Sequence, residues 1–340
     1  VGKCMTELVD QLAVSGNLAG DAFGELLRYR NAETMEYLFE QARATRRQVK
    51  KDVLQIWGRV PISNYCKNNC KMCGLRRENQ FVKRYRMDTQ GIIECCQYFA
   101  GNGVQTFLLE SGEDVFFTEA YMSEVLTELR KHFPKSKIIL SLGEKNRDFY
   151  LKMKKIGAYG ALLHHGTANS MHFKKIFPAN MSPLLKKQRL WQLKELGYHA
   201  GSGFLVGMPY QTIEHVLEDV WLLKEFEASI VEVGAYIPTP RTPLENQRSG
   251  NGEMTLYILA ALRLMLPDAM ILASPTLDCV LKDGRVRCFD AGADVLLMDL
   301  PDEELLNRYG AYQRKNGRLY LPGDNIEKLT GQLKERGLFQ

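Results

Sequence analysis

The stretch Cys66-Lys67-Asn68-Asn69-Cys70-Lys71-Met72-Cys73 decides how this sequence is read. Its three thiols follow a C-x3-C-x2-C spacing. A β-rich run over 53–63 precedes them, and a basic turn, Gly74-Leu75-Arg76-Arg77, follows. Three thiolates on one short loop can hold three irons of a 4Fe-4S cluster and leave the fourth iron open to a cofactor or substrate. Structural zinc is an alternative, but it wants four ligands. The next thiols, Cys95 and Cys96, fall in a helical pattern, and no His follows at finger spacing. A disulfide framework needs a secreted chain, and three close cysteines leave one odd.

Composition sets outer bounds. The 340 residues suffice for two ordinary domains or one large α/β barrel, and 45% apolar residues can fill its core. The net charge of +5 is mild and dispersed, which argues against a nucleic-acid partner. Eight cysteines without a disulfide pattern suggest a reducing, cytoplasmic setting. No signal-peptide pattern opens the sequence, and a start at Val1 suggests trimming. The most apolar run, 256–274, is broken by Arg263, Pro267 and Asp268. It reads as helix, turn and strand, so no membrane span is expected.

Residues 1–50 read as an N-terminal helical cap. One short segment spans 21–29, with Asp21 as its cap, and a longer one spans 31–50. Residues 51–300 then alternate. β-rich runs at 53–63, 106–110, 137–142, 160–164, 201–206, 230–237, 270–274 and 294–298 are separated by amphipathic helices. Eight such units predict parallel strands and a complete (β/α)8 TIM barrel, with an open doubly wound sheet as the alternative. Residues 301–340 read as a short helical tail with a turn at Leu321-Pro322-Gly323-Asp324.

In such barrels the chemistry sits at the C-terminal ends of the strands. The cysteine loop follows the first run. The second ends in Glu110-Ser111-Gly112-Glu113-Asp114, whose carbonyls and carboxylates can hold an ammonium. The third brings Ser141 and Glu144, the latter also suited to a helix N-terminus. The fourth ends in His164-His165-Gly166, and strand alternation sends the two imidazoles to opposite sides. The fifth is glycine-rich around Leu205, which suits close packing of an adenosine. The sixth carries one acid, Glu232, in an apolar run. It needs a cationic partner, a proton or a polar cavity. The seventh ends at Ser274, with Asp278 beyond.

The sequence resembles the radical S-adenosylmethionine (SAM) superfamily, its biotin synthase-like group, and within that the FeFe-hydrogenase maturases of HydE type. The resemblance rests on Ser63-Asn64-Tyr65-Cys66, Cys73-Gly74-Leu75-Arg76-Arg77, Lys83 to Met87, Ser111 to Asp114, Leu140 to Glu144, Thr167-Ala168-Asn169 and Val206 to Pro209. It implies a radical SAM barrel with Cys66, Cys70 and Cys73 on a 4Fe-4S cluster. It also implies SAM held near Met72, Ser111, Gly112, Glu113, Ser141, Lys186 and Leu205. In that family an electron from the cluster cleaves SAM to a 5′-deoxyadenosyl radical that acts on a small substrate. A reductant such as flavodoxin or ferredoxin is implied.

Departures from the family pattern imply an altered substrate pocket. Met72 stands where the family has an aromatic residue. His164-His165-Gly166-Thr167 replaces Arg-His-Glu-Thr, and Lys186 replaces an Arg that binds the SAM carboxylate. Methylornithine synthase is also similar, but its substrate-binding Arg aligns with Glu232. The substrate chamber is therefore expected at His164, Glu232, Ser274 and Asp278. The cysteines outside the loop sit off the strands, so sulfur insertion as in biotin synthase is not expected. The alternatives are a genuine hydrogenase maturase, a methylornithine synthase-like mutase and, in another class, a non-catalytic iron-sulfur scaffold.

Overall fold

In the computed structural model, residues 5–18, 21–51, 53–309 and 326–338 are described. Three helices open the chain: α1 (Met5–Ser15), α2 (Ala22–Arg28) and α3 (Ala32–Lys50). Strands and helices then alternate through β1 (Gln55–Ser63), α4 (Thr89–Gly101), β2 (Thr106–Ser111), α5 (Glu119–His132), β3 (Lys137–Ser141) and α6 (Arg147–Ile156). Next come β4 (Gly160–Leu162), α7 (Ser170–Ile176), α8 (Pro183–Glu195), β5 (His199–Val206), α9 (Ile213–Phe226) and β6 (Ile230–Ala235). The series ends with α10 (Gly252–Met265), β7 (Met270–Ala273), a 3-10 turn (Pro275–Cys279), α11 (Gly284–Asp290) and β8 (Val295–Met298). Among the described residues of the tail, α12 (Glu303–Tyr309) and α13 (Ile326–Glu335) follow. The turn expected at 321–324 lies outside the described residues.

The strands pair in parallel, in chain order, and β8 closes on β1, which excludes the open sheet. Polar side chains start most of the crossover helices. Asp88, Thr118, Asn146, Asn169, Ser182, Thr212 and Asn251 each accept a backbone N–H from the first turn. Asp21 does not. It precedes α2 without a side-chain cap bond and pairs with Arg28 instead, at 2.7 Å. Helix α7 was not expected, because its short stretch looks like loop between Asn169 and Pro178.

Helix α10 is buried on every side, with α3 and α1 packed over it. Its Arg263 is fully buried. Nη2 meets Asp294 Oδ1 at 2.5 Å, and the other nitrogens donate to the carbonyls of Pro267, Ala269 and Gly292. The charge that interrupts the apolar run thus ties the helix to the turns before β7 and β8.

Inside the barrel, Trp57, Leu108, Ile139, Leu162, Ile230, Leu272 and Leu297 form an apolar plug. Side chains on a strand repeat their face every second residue. Two positions on, the same strands present Arg59, Glu110, Ser141, His164, Glu232, Ser274 and Asp299, with Gly203 on β5. The interior therefore changes from dry to charged in one step, just below the strand ends.

Candidate active site

A cavity of about 340 Å³ opens above that polar ring. Glu110, Ser141, His164, Glu232 and Ser274 line its floor. Cys66, Cys70, Met72 and Cys73 line its mouth, with Ser111, Gly112, Glu113, Lys186 and Leu205 between. Of the residues expected to form a site, Asp278 alone stands apart. Its carboxylate accepts from Arg285 N at 2.8 Å and Nε at 2.5 Å, fixing the turn to α11.

The cysteine loop is held from several sides. Asp114, buried at the end of β2, accepts from Ser63 Oγ at 2.8 Å and from Arg86 Nε at 2.7 Å. Burial would raise its pKa, but these bonds outweigh that and hold it below the usual carboxylate range. Arg84 donates to the carbonyls of Asn64, Leu75 and Arg76. Lys71 N donates to Ile176 O of α7 at 2.9 Å. Glu113 is engaged by the loop itself: Asn68 Nδ2 lies 3.0 Å from Oε2 and Lys67 Nζ 2.5 Å from Oε1. A Cβ on Gly112 would lie 2.3 Å from Tyr65 O, so only glycine lets the β2 end reach this loop.

This donor set fits an iron-sulfur cluster. The three thiols are free, and Asn68 N–H points at Cys66 Sγ at 3.5 Å, a contact that suits a thiolate. Burial pushes the Cys73 thiol up to about 11, and the Cys70 thiol higher, so a bound metal would have to displace their protons. Among the described residues, no three His, Cys, Asp or Glu side chains converge as ligands of one ion. A cubane does not require that, since each thiolate takes a separate iron.

The two imidazoles of 164 and 165 diverge as expected. His165 turns outward, with Nδ1 2.9 Å from Ser202 Oγ and Nε2 3.3 Å from Asp219 of α9. His164 turns inward and meets Glu232 at 3.0 Å, with the Glu232 side chain only 14% exposed. The partner of Glu232 is thus a histidine, a cation when protonated. Burial pulls the His164 pKa down, but Glu232 and Glu110 outweigh it and the net shift is upward. For Glu232 burial acts upward, and His164 and Arg59 reverse it. Lys186 sits 3.1 Å from Glu144, which serves this pair rather than a helix N-terminus, where Asn146 is the cap.

Two ring residues, Arg59 and Asp299, were not singled out from the sequence, and Glu110 was named there only as part of the acidic turn after the second strand. Arg59 grips Asp299 through two bonds of 2.5 and 2.7 Å, and its Nη1 lies 3.5 Å from Glu110 Oε2. The argument that found Glu232, a lone charge on an apolar strand, applies equally to Arg59 and Glu110. The replaced position, Gly166, has φ +79, and a Cβ there would lie 2.4 Å from the Phe177 ring. Phe177 packs with Phe173 and Met208 beside Cys70, Met72, Met181 and Leu205. An apolar wall stands where the family has a carboxylate.

The [FeFe] hydrogenase maturase subunit HydE of Thermotoga maritima is 36% identical over 280 residues, covering 82% of this chain and 80% of that protein. The chain belongs to the radical SAM enzymes, in their HydE-like branch. The 3-methylornithine synthase of Methanosarcina acetivorans is 28% identical over 92% of this chain and 90% of its own. Among solved structures, methylornithine synthase (PylB) superposes with a TM-score of 0.85 at 25% identity, covering 98% of this chain and 96% of that one. The maturase HydG of Carboxydothermus hydrogenoformans gives 0.80 at 19% identity, over 98% and 78%. No protein-family model matches the chain. The barrel and the radical SAM assignment expected from the sequence are thereby borne out. No described helix is long and apolar enough to cross a membrane.

Proposed function

We propose that this radical SAM enzyme holds a 4Fe-4S cluster on Cys66, Cys70 and Cys73, binds SAM in the cavity beneath it, and acts on a small substrate seated on the polar ring. Bound there, the cluster and SAM would supply a 5′-deoxyadenosyl radical. The chain's own residues enclose and orient. Met72, Leu205 and the Phe177 wall offer apolar surface to a nucleoside, and Lys186 offers charge to a carboxylate. Ser111, Gly112 and Ser141 present oxygens and open backbone. The barrel floor excludes water from the reacting carbon, which radical chemistry needs.

The observation that carries this reading is the placement of three free thiols at the mouth of a cavity whose floor is polar and whose wall is apolar. Anaerobic reconstitution with iron and sulfide, then SAM and dithionite, tests it. Visible cluster absorbance and 5′-deoxyadenosine are the expected products. A protein that stays colourless, or carries zinc on these thiols, overturns it. Colour without 5′-deoxyadenosine favours the scaffold reading.

Identity to the HydE subunit supports a second reading, a maturase acting on that system's precursor. Against it stand His164, Gly166 and Lys186, which change the charge and shape of the chamber. Complementation of a maturase-deficient host decides between the two. The reductant, a flavodoxin or ferredoxin in this reading, is tested by replacing dithionite with each.

A further inference from the structure

The His164–Glu232 pair uses only one of the two imidazole nitrogens. Nε2 lies 3.0 Å from Glu232 Oε2. The carboxylate is held below its usual range, so it is ionised and only accepts, which fixes a ring proton on Nε2. Any second proton is gained or lost at Nδ1. That atom makes no hydrogen bond within the protein and is not sealed from the cavity. The His164 side chain is 40% exposed and lines the cavity floor. His165, by contrast, has Nδ1 against Ser202 and Nε2 facing Asp219. The charged groups that face the His164 ring are Glu232 on β6, Glu110 on β2 and Lys186 on α8, while β5 brings Gly203. Arg59 on β1 lies behind the two acids, with Asp299 on β8 turned to it.

We infer that His164 is a specificity-determining residue that, as an imidazolium, donates its Nδ1–H to a carboxylate or carbonyl oxygen of the small substrate. The inference rests on the proposed function and names the group by which that site takes its substrate. Glu232 is a positioning residue: it fixes the ring, holds the Nε2 proton and balances the charge. Burial opposes the second ring proton, but Glu232 and Glu110 favour it and prevail. An N–H that opens on a cavity is an unfilled donor, and a ligand oxygen fills it with a charge-assisted bond. The acid on β6 was expected to draw a cationic or donating group. Held by His164, it presents the opposite chemistry to the chamber. The family pattern has an arginine at position 164, which keeps its charge at every working pH. A histidine can drop it, so binding here becomes pH-dependent.

Ligand-observed NMR titrations on the anaerobically reconstituted, SAM-bound protein, from about pH 6 to about pH 9, provide the test. The probes are propionate and propylammonium, which share one size and differ in charge. Propionate should bind more tightly at the acid end. Its affinity should fall as pH rises through the His164 pKa, by up to about ten-fold per unit beyond it, because only the protonated ring donates from Nδ1. His164→Asn keeps an N–H donor on that side without a titrating charge. It should bind propionate about ten-fold or more weakly at the acid end and alike across the range. Glu232→Gln should move the midpoint of the profile to lower pH, which a purely structural role would leave in place. No propionate binding at the acid end, a flat wild-type profile, or a pH dependence that survives in His164→Asn overturns the inference, the last result assigning the titration to Glu110. The wild-type profile needs no variant to fold. Cluster absorbance and SAM binding are read on the same samples. Loss of those in the wild type refutes the proposed function, while the propionate profile decides the role of His164 separately.

Discussion

His164 after β4 and Glu232 on β6 meet at 3.0 Å although β5 runs between them. Position 203 makes this possible. A Cβ there would lie 1.8 Å from Glu232 O and 3.0 Å from His164 Cδ2. One missing methyl group lets two strands that are not neighbours share a proton-bearing pair on the cavity floor.

The pair should show in the titration of His164. Its pKa is raised above 6.5 and that of Glu232 lowered below 4.5. The raised imidazole stabilises the fold at low pH and loses that contribution as pH rises through its folded pKa. The lowered carboxylate stabilises at high pH and loses its contribution as pH falls through its folded pKa. The ion pair therefore persists between the two values, across pH 4.5–6.5 and somewhat beyond at each end. In Glu232→Gln, burial acts with far less opposition, and the His164 pKa should fall below 6.5. Imidazole NMR of the cluster-free protein reads both values. A His164 that titrates alike in the two proteins refutes the pairing.

Gly203→Ala should destabilise the barrel by about 1–3 kcal/mol, the usual cost of forcing a methyl group into a packed site. Here the opposing atom is backbone, so the upper end is expected. Gly101→Ala at the end of α4, where a Cβ meets nothing within 4 Å, is the matched control. It should be neutral or slightly stabilising, because alanine favours helix. Thermal unfolding of the two variants makes the comparison.

What the sequence revealed divides along physical lines. The eight strands were legible because each is a short apolar run bounded by turns and capped helices. The cysteine loop was legible because spacing alone constrains cluster ligands. Glu232 stood out as one acid among apolar neighbours. His164 was expected in the same chamber, but its pairing with Glu232 was not, since 68 positions separate them and nothing local links them. The Arg59–Asp299 pair is hidden for the same reason, spanning 240 positions across the β1–β8 closure. Asp278 shows the reverse. Its position after β7 suggested the cavity, but a local arginine, Arg285, claims it.

Gly166 answers a different question: what fills the space where the family pattern has Glu. Gly166→Glu should fail on two grounds, a left-handed φ of +79 and a Cβ 2.4 Å from Phe177. A loss of about 1–3 kcal/mol is expected from the backbone alone. Adding Phe177→Ala relieves the collision but not the strain, so the double variant should recover only part of the loss relative to Phe177→Ala itself. Full additivity of the two single changes, measured by denaturant unfolding, refutes direct contact.

Lys186 can be tested for a structural and a cofactor role at once. Its ammonium lies 3.1 Å from Glu144, and the two side chains are 8% and 19% exposed. Lys186→Met strands a largely buried carboxylate, which costs toward the lower end of about 3–5 kcal/mol because Glu144 keeps some access to solvent. Adding Glu144→Gln removes the stranded charge and should restore much of the stability. If Lys186 also meets the SAM carboxylate, the restored double variant still binds SAM about ten-fold or more weakly, since no cation returns. Lys186→Arg keeps the charge, so both stability and SAM affinity should stay near wild type. Calorimetric SAM titration beside thermal unfolding separates the outcomes. A double variant that regains full SAM affinity along with its stability assigns Lys186 to the fold alone.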